Sequence, residues 1–315
     1  MRPDDWHLTE DIDDFLARAG EFLHSRPVPH IMQLTVVQRL RSGGAAAHGT
    51  AQAPLFGRLE RAGEVLATFY RLPSRGLGLS PLTPEQADTL AAHLAAHPTA
   101  LGHRPPHVSA DHGTATAFAD SWQRHTGATP ALRVRLRLYR LGTLTPPDPL
   151  PAGRGRHVGE QDRERLMAWC RAFATDVGEA VAVNAGSWAA TRFADKRYTF
   201  WETPDGTPVS MAGVNPTVAG MAQVDPVYTP AHLRGRGYAG AVTVEVSRAA
   251  RAEGAKEVVL FANAANPTSN ALYQRVGYLP VTDWAAYDFA YGFAAPSRKP
   301  GRTTPAEAPD PPGIP

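Results

Sequence analysis

Apolar positions recur at three- and four-residue spacing over about residues 10–25 and 29–41, which predicts two helices. The pattern then changes to the alternation of a hairpin in LFGRLERAGEVLATFYRL, residues 55–72. A strand near Gly76–Leu82, a helix from Pro84, a short strand HVSAD, a helix ending at Gly127 and the strand ALRVRLRLYRL follow. The second half runs in a similar order. A helix at about 160–175 carries Leu166, Cys170 and Phe173 on one face, and a shorter one is expected over Ser187–Ala194. RYTFWETPDGTPVSMAGV reads as two strands around the turn pair Asp205-Gly206, and GMAQVDPVYT as a third. Pro226 has no N–H to give a ladder, so pairing is expected to break near Asp225–Val227. A glycine loop then opens a helix running to about Glu253. EVVLFANA is a short buried strand, PTSNALYQRVG a helix from Pro267 to Gly277, and YLPVTDWAAYDFA closing strand material.

The two halves repeat a pattern and not a string of letters. Between them LTPPDPLPAGRGR, residues 143–155, is rich in proline and glycine and reads as a linker. The expected organisation is therefore a first domain over 1–142, a second over 150–294, and a disordered proline-rich tail over 295–315.

Composition narrows the function classes. Thirty-two Lys and Arg against 30 Asp and Glu leave a net charge of +2, which gives no general drive toward nucleic acid or an acidic membrane. Arg133, Arg135 and Arg137 of RVRLRLYR alternate with Val134, Leu136 and Leu138 and not with aromatic residues, and read as the solvated face of a strand. No apolar run approaches membrane-spanning length, and the acidic start MRPDDWHLTEDIDDFL lacks the apolar core of a secretion signal, so a cytoplasmic location is expected. The single cysteine, Cys170, excludes an internal disulfide and sits at a core spacing. His93 and His97 are four apart, but no third ligand accompanies them, and no metal site is expected.

The segment HLRGRGYAGA places Gly235, Gly237 and Gly240 in the register G-x-G-x-x-G. A dinucleotide loop would follow directly on the first strand of a parallel unit, with an acidic residue at the end of the next strand. Here PAHLR intervenes, the preceding strands look antiparallel, and the following strand ends in Ala262 and Asn263. The glycine loop of protein kinases fails as well, for want of its lysine strand and catalytic-loop partners. What remains is a run of backbone N–H groups leading into a helix, a nest for a pyrophosphate, with Arg234 and Arg236 adding positive charge.

At this point the residues resemble the GNAT superfamily of acyl-CoA-dependent N-acetyltransferases. Its signature of Arg or Gln, two residues, Gly, one residue, then Gly or Ala is matched by Arg234, Gly237 and Ala239. NPTSNALYQRVGY resembles its second motif, with Asn266, Tyr273 and the Gly277-Tyr278 helix exit. The resemblance covers about residues 150–293. It implies an α/β (α+β) GNAT fold, a mixed and mostly antiparallel sheet with flanking helices, here in two tandem copies. It also implies acetyl-CoA as co-substrate and a small-molecule or peptide amine as acceptor, with direct attack in a ternary complex.

Carried over by position, the resemblance gives the N–H of Val227 the task of polarising the thioester carbonyl, with Tyr228 and Thr229 continuing the pantetheine contacts. Arg234, Gly235, Arg236, Gly237, Tyr238, Ala239 and Gly240 would hold the pyrophosphate, and Tyr273 would protonate the departing thiolate. Asn266 either contacts the cofactor or caps its helix, and Ser269 is a further candidate. Where many members place a basic glutamate this chain has Gln223, which cannot act as a base. Asp225, Glu202 and an ordered water chain are the alternatives. In the first half PLTPEQADTL stands in place of the glycine loop and Gln123 in place of Tyr273, so that half is expected to bind no coenzyme A. The competing reading is a non-catalytic acyl-CoA-binding or sensory module.

Overall fold

The computed structural model describes residues 5–43, 53–72, 76–97, 104–179, 183–184 and 186–292; the expected tail lies outside them. The first half contains β1 (Asp5–Thr9), α1 (Ile12–Ser25), α2 (Ile31–Gly43), β2 (Leu55–Arg61), β3 (Glu64–Leu72), β4 (Gly76–Leu79), α3 (Pro84–Ala96), β5 (His107–Asp111), α4 (His112–Thr126) and β6 (Thr129–Leu141). The second contains β7 (Arg154–His157), α5 (Arg163–Asp176), β8 (Arg197–Glu202), β9 (Pro208–Val214), β10 (Met221–Tyr228), α6 (Tyr238–Ala252), β11 (Glu257–Asn263), α7 (Pro267–Arg275) and β12 (Tyr278–Ala290).

Local chemistry accounts for most of these boundaries. Asp11 caps α1 by accepting from the N–H groups of Asp13 and Asp14, and Phe15, Ala19 and Leu23 form its buried stripe. Thr83 and Gln86 close a reciprocal capping box on α3, with Pro84 at the first helical position. Gly127 ends α4 in the left-handed conformation.

Twelve strands form one sheet in the order β1-β2-β3-β4-β5-β12-β6-β11-β10-β9-β8-β7. Adjacent residues of one strand point to opposite faces, which sorts the helices. Phe56, Tyr70, Leu138 and Val259 pack with α1 and α2, and Phe200 and Met211 with α5, on one face. Leu55, Phe69 and Val108 pack with α3 and α4, and Tyr139, Ala212 and Leu260 with α6, on the other.

The centre of the sheet departs from a simple pair of beads. The last strand of the first half, β6, lies between β12 and β11, pairing Val259 with Arg140 through Asn263 with Leu136. The last strand of the second half, β12, crosses to β5, pairing Trp284 with Asp111. The two exchanged strands run antiparallel along their full length, from Tyr278 opposite Leu141 to Ala290 opposite Thr129. The sheet therefore does not divide where the chain does at residues 143–155. Three further differences from the expected elements are local. Ser187–Ala194 holds only a short 3-10 turn at Trp188–Ala190, the end of the linker is the edge strand β7, and Asp5–Thr9 adds the edge strand β1. Both edge strands are short, so periodicity had little to register.

Candidate active site

The site forms where β10 leaves β11. The two pair in parallel only from Met221 opposite Glu257 to Gln223 opposite Val259, and beyond that point their ladder ends. On its other side β10 stays with β9, but the register slips between Val224 and Val227, so the expected break around Asp225–Pro226 is a bulge. Gly213 faces the bulge. A Cβ there would stand 2.7 Å from the Asp225 carbonyl oxygen and 3.1 Å from Pro226 Cδ, so only glycine admits this approach. The result is a gap between the ends of β10 and β11, with unpaired backbone along part of its wall.

The glycine loop and the start of α6 stand beside this gap. Gly235 and Gly237 adopt φ of +77° and +81°, and residues 234–237 are exposed. Gly237 is the N-cap of α6 and offers no side chain to cap it. The first N–H engaged in the helix is that of Ala241, bonded to Gly237 O. Among the described residues, the N–H groups from Gly235 to Gly240 have no intramolecular acceptor. Six successive donors at the positive end of a helix dipole match the needs of a phosphate group.

The structure gives the other loop residues distinct tasks. Arg234 donates from Nε to Thr229 O at 3.0 Å and from Nη2 to Asp176 at 2.5 Å, which ties the loop to β10 and α5. The Thr229 hydroxyl meets Ser210 Oγ at 2.8 Å, and Ser210 Oγ donates to Tyr228 O at 3.0 Å. Arg236 is exposed, with one long bond to His232 O. Gly240 is buried, and a Cβ on it would press on Pro147 at 3.0 Å, so this third glycine serves close packing of the linker on the helix.

Val227, Tyr238 and Tyr273 are half-buried and pack against the same apolar cluster, which brings the splayed strand, the loop helix and α7 together. The Tyr273 ring lies 6.3 Å from that of Tyr139 and 6.1 Å from that of Tyr278. Its hydroxyl has no hydrogen-bond partner among the described residues. Burial, with the neighbouring Tyr278 and the charge of Asp225, pushes its pKa well above the ordinary phenol value, so it holds its proton. Asn266 is the N-cap of α7: its Oδ1 accepts from Ser269 N at 3.1 Å, and Ser269 itself is half-buried.

The candidate bases are engaged elsewhere. Gln223 Oε1 accepts from Asn215 Nδ2 at 3.1 Å. Asp225 takes Arg192 at 2.5 Å and the buried Lys196 on the same oxygen, and Arg192 also forks onto Glu179. Burial alone would raise the Asp225 pKa, but these two cations outweigh it and hold the carboxyl below its usual range. Glu202 ends β8, next to the edge strand β7, and is clamped by Arg154 at 3.0 Å and Arg156 at 2.7 Å. A cavity of about 290 Å³ lined by Gly153, Arg154, Glu202 and Thr203 belongs to that remote edge. Cys170 is buried, and its thiol is pushed up to about 11 by burial. Among the described residues no group of three or more His, Cys, Asp or Glu is placed to hold a metal, and no helix is long and apolar enough to cross a membrane.

Sequence reasoning undervalued two residues. Asn270 is buried and joins α7 to the end of β11, and Tyr139 is fully buried on β6. The polar Asn270 in an otherwise core-facing position was the available signal. Nothing along the chain pairs it with a residue more than a hundred positions earlier.

Residues 163–278 match the sequence model of the acetyltransferase (GNAT) family. They form a GNAT domain. A GNAT-family acetyltransferase from Colwellia psychrerythraea superposes with a TM-score of 0.57 at 10% identity, over 91% of this chain and 100% of that one. A GCN5-related N-acetyltransferase from Sphaerobacter thermophilus gives 0.52 at 16%, over 91% and 96%. A tandem GNAT protein from the clavulanic acid biosynthesis pathway gives 0.52 at 13%, over 91% and 98%. At such identities the likeness is one of fold, and it extends across the half that precedes the GNAT domain. No curated protein matches the chain by sequence.

Proposed function

We propose that the protein transfers an acetyl group from acetyl-CoA to a primary amine by direct attack in a ternary complex. The observation that carries this is the row of six unengaged N–H groups from Gly235 to Gly240, beside the gap between β10 and β11, with Tyr273 on the same apolar cluster as Val227 and Tyr238. The donor set suits the pyrophosphate of coenzyme A, and the gap suits an extended pantetheine arm.

In this reaction the amine nitrogen attacks the thioester carbonyl, and the oxygen that becomes negative is stabilised by the N–H of Val227. The tetrahedral intermediate collapses, the C–S bond breaks, and the sulfur takes the proton of Tyr273; burial disfavours the phenolate left behind, which regains a proton from water. The substrate ammonium loses one proton to water before its nitrogen can attack, and the nitrogen sheds a second through water as the amide forms, because Gln223 has no basic group and Asp225 is committed to two cations. The first half takes no coenzyme A. At the start of α3 the reciprocal box of Thr83 and Gln86 occupies donors that α6 leaves open, and Pro84 removes another. Its part is to complete the sheet and wall the acceptor cleft.

The engaged Gln223 also favours a second reading, a module that binds acyl-CoA without turnover. Release of free thiol from acetyl-CoA with a panel of amines, with products identified by mass spectrometry, separates the two. Amine-dependent release supports the transferase. Binding without release under any amine supports the module.

A further inference from the structure

Helix α7 has nine residues and buries Asn270 alone among them, so neither length nor an apolar stripe fixes it in place. What fixes it is polar and comes partly from the other half of the chain. Asn270 Nδ2 donates to Asn263 O at 2.9 Å and to Asn266 O at 2.7 Å, holding the helix to the end of β11. The Asn270 Oδ1 accepts from the hydroxyl of Tyr139 at 2.8 Å, and the same hydroxyl accepts from Gln274 Nε2 at 3.2 Å. Tyr139 belongs to β6, the strand that the first half inserts between β11 and β12.

Asn270, Tyr273 and Gln274 share one face of the helix, at i, i+3 and i+4. One buried hydroxyl therefore grips α7 on both sides of the turn that bears Tyr273. The Tyr273 ring neighbours the rings of both Tyr139 and Tyr278. Tyr278 is fixed in turn by its hydroxyl on Ser247 Oγ at 2.7 Å. Both neighbouring hydroxyls are thus bonded, and that of Tyr273 has no such bond among the described residues.

We propose that Tyr139 is a positioning residue for the acid chemistry of Tyr273, so that the half without the glycine loop sets the geometry of the proton donor. This rests on the acyl-transfer reading above. Tyr139 touches neither the glycine loop nor Val227 in any hydrogen bond described, so its effect belongs to the proton-transfer step and not to acetyl-CoA binding.

The test is a double-mutant cycle in the full chain. Tyr139→Phe keeps the buried ring and removes the hydroxyl; kcat is expected to fall about ten-fold with the KM for acetyl-CoA within about two-fold of the original. Added to Tyr273→Phe it should change nothing further, because it acts through the residue already lost. An unchanged kcat in Tyr139→Phe, or losses that multiply in the double variant, would overturn the proposal. If Tyr139→Phe folds poorly, Gln274→Met removes one of the two bonds from an exposed position, and a smaller kcat loss, again absent in the Tyr273→Phe background, is expected. A second readout needs no turnover: with ring-labelled tyrosine, the Tyr273 NMR signal, assigned by Tyr273→Phe, should shift or broaden in Tyr139→Phe. An inert wild type with that shift present would refute the function and leave the positioning intact. An unmoved signal would refute the positioning alone.

Discussion

Thr83 and Gly237 are the N-caps of corresponding helices in the two halves, and they treat the helix end in opposite ways. Thr83 Oγ1 accepts from Gln86 N at 3.2 Å while Gln86 Oε1 accepts from Thr83 N at 2.9 Å; Gly237 has no side chain to offer. The difference predicts one coenzyme A per chain. Acetyl-CoA should raise the melting temperature, NAD and NADP should not, and calorimetric stoichiometry should be one. A stoichiometry of two would give the first half a site.

Replacing Gly237 tests the loop itself. A Cβ there meets only Pro151 at 3.6 Å, so space permits Gly237→Val, but its φ of +81° costs a β-branched residue about 1–2 kcal/mol or more. The variant should melt a few degrees lower, remain folded, and lose its response to acetyl-CoA. A folded variant with the full response would remove the loop from the site.

Tyr273→Phe keeps the ring in its cluster and removes the proton. A kcat lower by roughly 10²-fold with little change in acetyl-CoA affinity is expected, as for other general acids. The pH profile supplies the sign. A phenol whose pKa is pushed above its ordinary value of about 10 stays protonated through the working range. The wild-type rate should therefore rise with pH as the amine loses its proton, and show no fall below about pH 10. A basic limb centred near pH 8 would assign the acid to another group.

Asp225 carries a stability prediction. Asp225→Asn leaves Lys196, whose side chain is 2% exposed, and Arg192 without their shared carboxylate. A loss of about 3–5 kcal/mol is expected in urea unfolding. Because the folded pKa lies below the unfolded value of about 3.9, the wild-type contribution is complete above that pH and disappears as pH falls through the folded value. The gap between wild type and variant should therefore close on acidification, and a gap constant down to pH 2 would deny the pairing.

Cys170 should be silent. With its thiol buried and its pKa at about 11, the native protein should take up no alkylating reagent at pH 8, and the unfolded chain one equivalent. Rapid native labelling would mean that α5 opens readily.

Much of this architecture was legible one element at a time. HVSAD, the α3 start at Pro84 and the break at Pro226 follow from residues that act on their own backbone. The glycine loop was legible for the same reason. The exchange of β6 and β12 was not, because alternation states which face a strand buries and never which neighbour it meets. The ion pairs of Asp225 and Glu202 were hidden for a related cause. A carboxylate's chemistry depends on the arginines and lysine that reach it, and Arg156, Arg192 and Lys196 arrive from other segments.

The exchanged strands also set a timetable for synthesis. Strand β5 receives its second neighbour only when Trp284 reaches Asp111, a pairing that must wait for a residue far later in the chain. Until then the earlier half holds an uncovered strand edge, and β6 waits for β11. Such distant pairings slow folding. Ribosome-bound chains ending before residue 257 should thus be far more open to protease than the full chain, and the first half would serve as the frame on which the second is completed.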